Sequence, residues 1–145
     1  YYLKMKKIYF AGSIRGGRGD KEIYAQIIKK LKPYGQTLTE HLGEKTLSLM
    51  GEVGTTNKFI YNRDIDWLNT ADIVIAEVTN PSLGVGYELA CAESKNIKVI
   101  CLYRPSEDKK LSAMIGGNSN FTIFEYQKIE ELDSFFDKIF KYNRV

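Results

Sequence analysis

Ile73-Val74-Ile75-Ala76-Glu77-Val78, running into Thr79-Asn80-Pro81-Ser82-Leu83-Gly84-Val85-Gly86-Tyr87-Glu88, is the stretch that decides the fold. Its first six residues are apolar at successive positions, apart from Glu77, rather than at alternate ones. A strand of that kind is covered on both faces, as in a parallel sheet. Asn80-Pro81-Ser82 breaks it, and Gly84 to Lys95 then reads as a helix. Lys98 to Tyr103 is again an apolar, β-branched run. Strand, helix and strand in that order form a βαβ unit, which crosses over right-handed.

The same alternation extends in both directions. Lys7 to Ala11 is a short strand ending in Gly12-Ser13. Asp20 opens an amphipathic helix with Ile23, Ile27, Ile28 and Leu31 on one face, and Lys32-Pro33-Tyr34-Gly35 stops it. Gln36 to Thr39 reads as a second strand, and residues 42–54 as a short helix or a loop. Thr55 or Thr56 caps a helix reaching about Thr70. A short helix is predicted near Leu111 to Ile115 and a weak strand at Thr122 to Glu125. The last helix carries Ile129, Leu132, Phe135, Phe136, Ile139 and Phe140 at helical spacing. Five strands separated by helices predict a three-layer α/β/α sandwich around a five-stranded parallel sheet, with the flavodoxin- or Rossmann-like order 2-1-3-4-5. Ligands bind such sheets past the carboxyl ends of the strands, where the order reverses. Here that point lies between strands 1 and 3. The functional loops are therefore Gly12 to Gly19 and Thr79 to Gly86.

With 145 residues, the chain has the length of one domain. Met5-Lys6-Lys7-Ile8 reads as a start, Tyr1 to Lys4 as an extension, and residues 5–145 as the domain. The longest purely apolar run, Val99 to Tyr103, is far short of a membrane span. A net charge of +3, from 21 basic and 18 acidic residues that are scattered, does not mark a nucleic-acid binder. Cys91 and Cys101 lie in apolar surroundings without a CxxC spacing and read as thiols of a reducing compartment. His41 is the only histidine, which argues against a zinc site and against a serine–histidine triad.

Loop one, Gly12-Ser13-Ile14-Arg15-Gly16-Gly17-Arg18-Gly19, offers backbone N–H groups, a hydroxyl and forked cations to an anion. It is neither a Walker loop nor a GxGxxG fingerprint. In loop two, Ser82 precedes a helix N-terminus, where an oxyanion is favoured. Glu88 is expected in the first turn of that helix, with the dipole favouring its ionised form. In the helix after Thr56, a rotation of about 100° per residue groups Ile60, Tyr61, Ile65, Trp67 and Leu68 on one side. Asn62, Arg63, Asp66 and Asn69 then lie opposite. Asp64 falls in the middle of the apolar side, where a carboxylate is costly unless paired or used. Desolvation there is expected to raise its pKa. Two carboxylates in one pocket beside an anion cradle describe glycosidic chemistry on a phosphorylated sugar.

Tyr9 to Arg18, Thr39-Glu40-His41, Asp64 to Leu68, Ala76 to Leu89 and Leu111-Ser112-Ala113-Met114-Ile115 together resemble the 2′-deoxynucleoside 5′-phosphate N-hydrolase family, within the nucleoside 2-deoxyribosyltransferase superfamily. The resemblance runs in order from about Lys7 to the last helix. It implies a hydrolase that releases free base and 2-deoxyribose 5-phosphate through a glycosyl-enzyme intermediate. By similarity, Glu88 is the nucleophile, Asp64 the acid/base and Tyr9 the residue that orients the nucleophile. Ser13, Arg15, Ser82 and Ser112 match the phosphate pocket. Gly12, Ile14, Gly16, Gly84 and Met114 line the site, and His41 approaches the base. The resemblance implies a homodimer in which Ser112 serves the neighbouring site, no metal or organic cofactor, and a cytoplasmic or also nuclear location. Ala11 stands where a cysteine is sometimes found in the family, and residues 42–57 do not align. Two other readings are weighed. In a nucleoside 2-deoxyribosyltransferase, a second base accepts the sugar. In a non-catalytic nucleotide-binding module, Asp64 and Glu88 have no task.

Overall fold

The computed structural model describes residues 5–14, 18–39 and 56–141. Five strands form one parallel sheet: β1 (Lys6–Gly12), β2 (Gly35–Leu38), β3 (Ile73–Glu77), β4 (Lys98–Tyr103) and β5 (Phe121–Glu125). The order is β2-β1-β3-β4-β5, as the sequence predicts. The helices are α1 (Arg18–Leu31), α2 (Asn57–Thr70), α3 (Leu83–Ser94), the one-turn α4 (Ala113–Gly116) and α5 (Glu131–Lys141). A 3₁₀ turn at Lys32–Tyr34 joins α1 to β2.

The sheet is covered on both faces, which is why its central strands are apolar at every position. On one face Ile8, Phe10, Ile75 and Ile100 meet Tyr24, Ile27 and Leu31 of α1 and Leu132, Phe136 and Phe140 of α5. On the other face Tyr9, Ala11, Val74 and Ala76 meet Leu68 of α2 and Val85, Leu89 and Ala92 of α3. Alternate residues of β1 thus belong to different cores, and Tyr9 belongs to the α2–α3 side.

Local chemistry sets the element ends. Asp72 fixes the β1–β3 register: its carboxylate accepts the Lys7 N–H and its own N–H donates to the Lys7 carbonyl, both at 2.8 Å. Thr56, rather than Thr55, caps α2 by accepting the Phe59 N–H at 3.1 Å. Asn96, at φ 58°, turns the chain from α3 into β4 in a conformation that asparagine tolerates. Gly35 opens β2 so close to β1 that a Cβ there would lie 2.3 Å from the Lys6 carbonyl oxygen. Helix α1 starts at Arg18, ahead of the predicted Asp20, and α5 starts at Glu131, two residues after Ile129. Glu131 stops α5 from extending further back, since its carboxylate accepts the N–H groups of Gln127 and Lys128 at 2.7 and 2.6 Å. Residues 1–4 and 40–55 lie outside the described residues, and with them the ambiguous segment 42–54. Among the described residues no helix is long and apolar enough to cross a membrane.

Candidate active site

The crevice between β1 and β3 is flanked by α2 and α3, and these two helices bring the predicted carboxylates to one side of the sheet. Tyr9, from the middle of β1, is 1% exposed and packs in the core shared with Leu68 of α2 and with Val85 and Leu89 of α3. Asp64, midway along α2, is 6% exposed, so the phase argument for an acid on the buried side holds. Asp66 is exposed, as expected of a solvated charge.

Two neighbours of Asp64 depart from expectation. Arg63 does not point away: its Nε donates to Asp64 Oδ1 at 3.0 Å, and its guanidinium lies 4.8 Å from the Trp67 ring centre. A long side chain can leave the helix on the polar flank and curl back over the residue one turn on. The carboxylate is therefore paired. Tyr61, expected on the buried side, is 51% exposed and reaches across to Tyr87 on α3, with 3.3 Å between the two hydroxyl oxygens. That contact pushes the Tyr87 hydroxyl pKa up to about 12, with Cys91 adding to the shift. Cys91 is half-buried and Cys101 buried; both are free thiols, and burial raises the Cys101 pKa to about 12.

Tyr61 lies one turn before Asp64, and Tyr87 adjoins Glu88. Their contact packs α2 and α3, the helices that bear the two acids, side by side. Glu88 is half-buried. It is the sixth residue of α3, in the second turn and not the first, because Ser82 caps the helix and starts it at Leu83. Glu88 therefore lies beyond the turn in which the helix dipole acts.

Of the anion-loop residues, Gly12 ends β1, Ser13 is 7% exposed and Ile14 is 54% exposed. Arg15, Gly16 and His41 lie outside the described residues. Ser82 and Ser112 have one geometry in common. Each hydroxyl oxygen caps a helix by accepting a backbone N–H at 3.3 Å, from Val85 and Met114 respectively. An oxygen used this way still has its own proton to donate, which suits an oxyanion. Both serines, with Gly86, Met114 and Lys110, line a cavity of about 480 Å³. Gly84 follows Ser82 in the first turn of α3. The cavity-lining residues of α3 spread over an arc of roughly 160°, and Glu88 lies outside it, roughly 60° beyond Val85. Glu77, inside the strand that decided the fold, is a fully buried acid that the motifs do not single out. An acid ending an otherwise apolar buried run was the available signal.

Residues 8–123 match the model of the nucleoside 2-deoxyribosyltransferase family. The chain belongs to that family. It is 49% identical over 138 residues to the 5-hydroxymethyl-dUMP N-hydrolase of Esox lucius, covering 92% of this chain and 95% of that one. To the human protein of the same name it is 43% identical over 138 residues, covering 92% and 79%. Among solved structures, the Clostridium botulinum CMP N-glycosidase superposes with a TM-score of 0.65 at 20% identity, covering 91% of this chain and 99% of that one. This family member therefore shares the fold of a glycosidase as well as that of the transferases.

Proposed function

We propose that the protein hydrolyses the N-glycosidic bond of 2′-deoxynucleoside 5′-monophosphates, giving free base and 2-deoxyribose 5-phosphate. The observation that carries this reading is the contact of Tyr61 with Tyr87, which packs α2, with its buried acid Asp64, against α3, which bears Glu88. The names of the relatives at 43–49% identity support the substrate class, and 5-hydroxymethyl-dUMP is the first member of it to test.

In the first step a Glu88 oxygen attacks the anomeric carbon as the carbon–nitrogen bond breaks. The electron pair goes to the base, and Asp64 supplies its proton. Arg63 then stabilises the carboxylate left on Asp64. In the second step a water attacks the same carbon, Asp64 takes its proton and Glu88 leaves as the carboxylate. Tyr9 orients Glu88. A 2-deoxy sugar lacks the electron-withdrawing hydroxyl, so charge develops easily at the anomeric carbon, and the site's main tasks are positioning and electrostatic support. Ser13, Arg15 and Ser82 hold the 5′-phosphate, Gly12, Ile14, Gly16 and Gly84 line the sugar side, and His41 faces the base.

A homodimer completes this reading. Ser112 and Met114 line the cavity that Ser82 also lines, and, as the family resemblance implies, the Ser112 hydroxyl serves a second copy's phosphate site. Leu83 and Met114, 98% and 82% exposed, form an apolar rim for that copy to cover. The protein works without a metal or organic cofactor, in the cytoplasm and nucleus.

The test is a product assay on a panel of deoxy- and ribonucleoside monophosphates that includes 5-hydroxymethyl-dUMP, read for free base. A second free base added to the mixture separates the hydrolase from the transferase. Sugar transfer to that base in preference to water would overturn the hydrolase reading, and a nucleotide bound but not cleaved would favour a binding module.

A further inference from the structure

On the sheet face away from Tyr9 lies a buried polar cluster that the reaction above does not use. Its centre is Glu77, at the last position of β3. Glu77 Oε1 accepts the Thr79 N–H at 2.7 Å, and Oε2 accepts the Tyr126 hydroxyl and lies 3.5 Å from Arg104 Nε. The same guanidinium donates through Nη2 to Asp20 Oδ1 at 2.8 Å, and the Arg104 N–H donates to Thr79 Oγ1 at 3.0 Å. One arginine just past β4 thus ties the first turn of α1 to the end of β3.

Tyr24, one turn along α1 from Asp20, carries the network to the end of β1. Its ring packs edge-on against Phe10 and lies over Gly12, where a Cβ would sit 3.1 Å from the ring. Glycine is what lets the ring come so close to the strand end. The ring carbon that bears the Tyr24 hydroxyl is the atom nearest that Cβ position, next to Ser13 in the chain, and burial, with Asp20 and Glu77 nearby, raises the pKa of the phenol. The two ends of the β1–α1 connection are therefore each held by a side chain: Tyr24 packs over Gly12, next to Ser13, and Arg104 pairs with Asp20.

Two carboxylates sharing one guanidinium inside a protein are costly, and apolar residues would pack the same space at less expense. We infer that Arg104 and Tyr24 are positioning residues for the 5′-phosphate, holding Ser13 and the start of α1 in place without touching substrate. This inference rests on the proposed function.

Its test uses Tyr24→Phe, which removes one oxygen and keeps the ring, and Arg104→Lys, which keeps the charge and loses the fork. KM and kcat are measured on the preferred deoxynucleoside monophosphate, binding of 2-deoxyribose 5-phosphate and of 2-deoxyribose by titration, and melting temperature alongside. The expected result is a KM raised about three- to tenfold in Tyr24→Phe and about tenfold or more in Arg104→Lys, with kcat within about twofold of the parent. Affinity for 2-deoxyribose 5-phosphate falls in step, and affinity for 2-deoxyribose does not. KM unchanged in both folded variants, or kcat lost together with melting temperature and no KM split, overturns the inference. Parent protein that cleaves no monophosphate overturns the functional reading instead, and the inference with it.

Discussion

Arg63 holds Asp64 through a 3.0 Å contact between Nε and Oδ1, so the buried carboxylate of α2 has a cation beside it. On the proposed mechanism the pairing stabilises the carboxylate that remains after proton donation. Asp64→Asn, which keeps shape but cannot cycle a proton, is expected to slow hydrolysis of natural bases by about 10²–10⁴-fold. A nitrophenyl leaving group, which needs no proton, should lose much less in the glycosylation step. Single-turnover kinetics on both substrates check this, and equal losses would assign Asp64 to positioning the sugar.

Glu88→Ala is expected to reduce turnover by on the order of 10³-fold or more, since no other group forms the glycosyl-enzyme. Glu88 is half-buried in α3, so the fold should survive. Circular dichroism and a free-base assay on the same preparation decide the point; near-normal turnover removes Glu88 from the mechanism.

The phosphate pocket predicts a preference for monophosphates over bare nucleosides. A hydrogen bond to a charged group contributes about 1.5–3 kcal/mol, or roughly 10–150-fold each. Ser82→Ala and Arg15→Ala should each narrow the kcat/KM ratio between a monophosphate and its nucleoside by an amount in that range. Ser82→Ala also removes the Val85 cap and should lower the melting temperature slightly. A parent enzyme equally efficient on both substrates would count against the pocket.

Glu131 gives a pH prediction with a definite sign. Its two backbone N–H donors hold its pKa below the ordinary 4.5. A depressed acid stabilises the fold at pH values above its unfolded pKa, and that contribution is lost as pH falls through the folded value. Glu131→Gln should therefore lower the urea midpoint at pH 7 and have progressively less effect as the pH drops below 4.5. An undiminished difference in acid would show that the effect is not electrostatic.

Phe136, fully buried between α1 and α5, tests the far core. Phe136→Ala should cost about 3–5 kcal/mol, lowering the melting temperature by roughly 10–20 °C.

What could be read from the sequence follows from how local each signal is. β3 and β4 were legible because burial on both faces leaves no polar alternation, and α5 because Leu132, Phe136 and Phe140 repeat at helical spacing. Asp64 was legible as an acid out of phase with its helix. Arg63 was not, since its Cβ lies on the polar side and only the long side chain returns to Trp67. The turn holding Glu88 was misjudged by one: even in a helix opening at Gly84, Glu88 is the fifth residue, past the 3.6 of a first turn. The Glu77–Arg104–Asp20 cluster joins three distant segments, and no spacing in the chain announces it.

The contact between Tyr61 and Tyr87 sets α2 beside α3. On the proposed reading the proton donor and the nucleophile are therefore spaced by helix packing, at about 8–10 Å between axes, and not by the length of any connecting segment. Connections at the rim can lengthen, shorten or change composition while that spacing stays as it is. Such a scaffold can acquire a new base preference by exchanging its rim, with the bond-breaking machinery inherited unchanged.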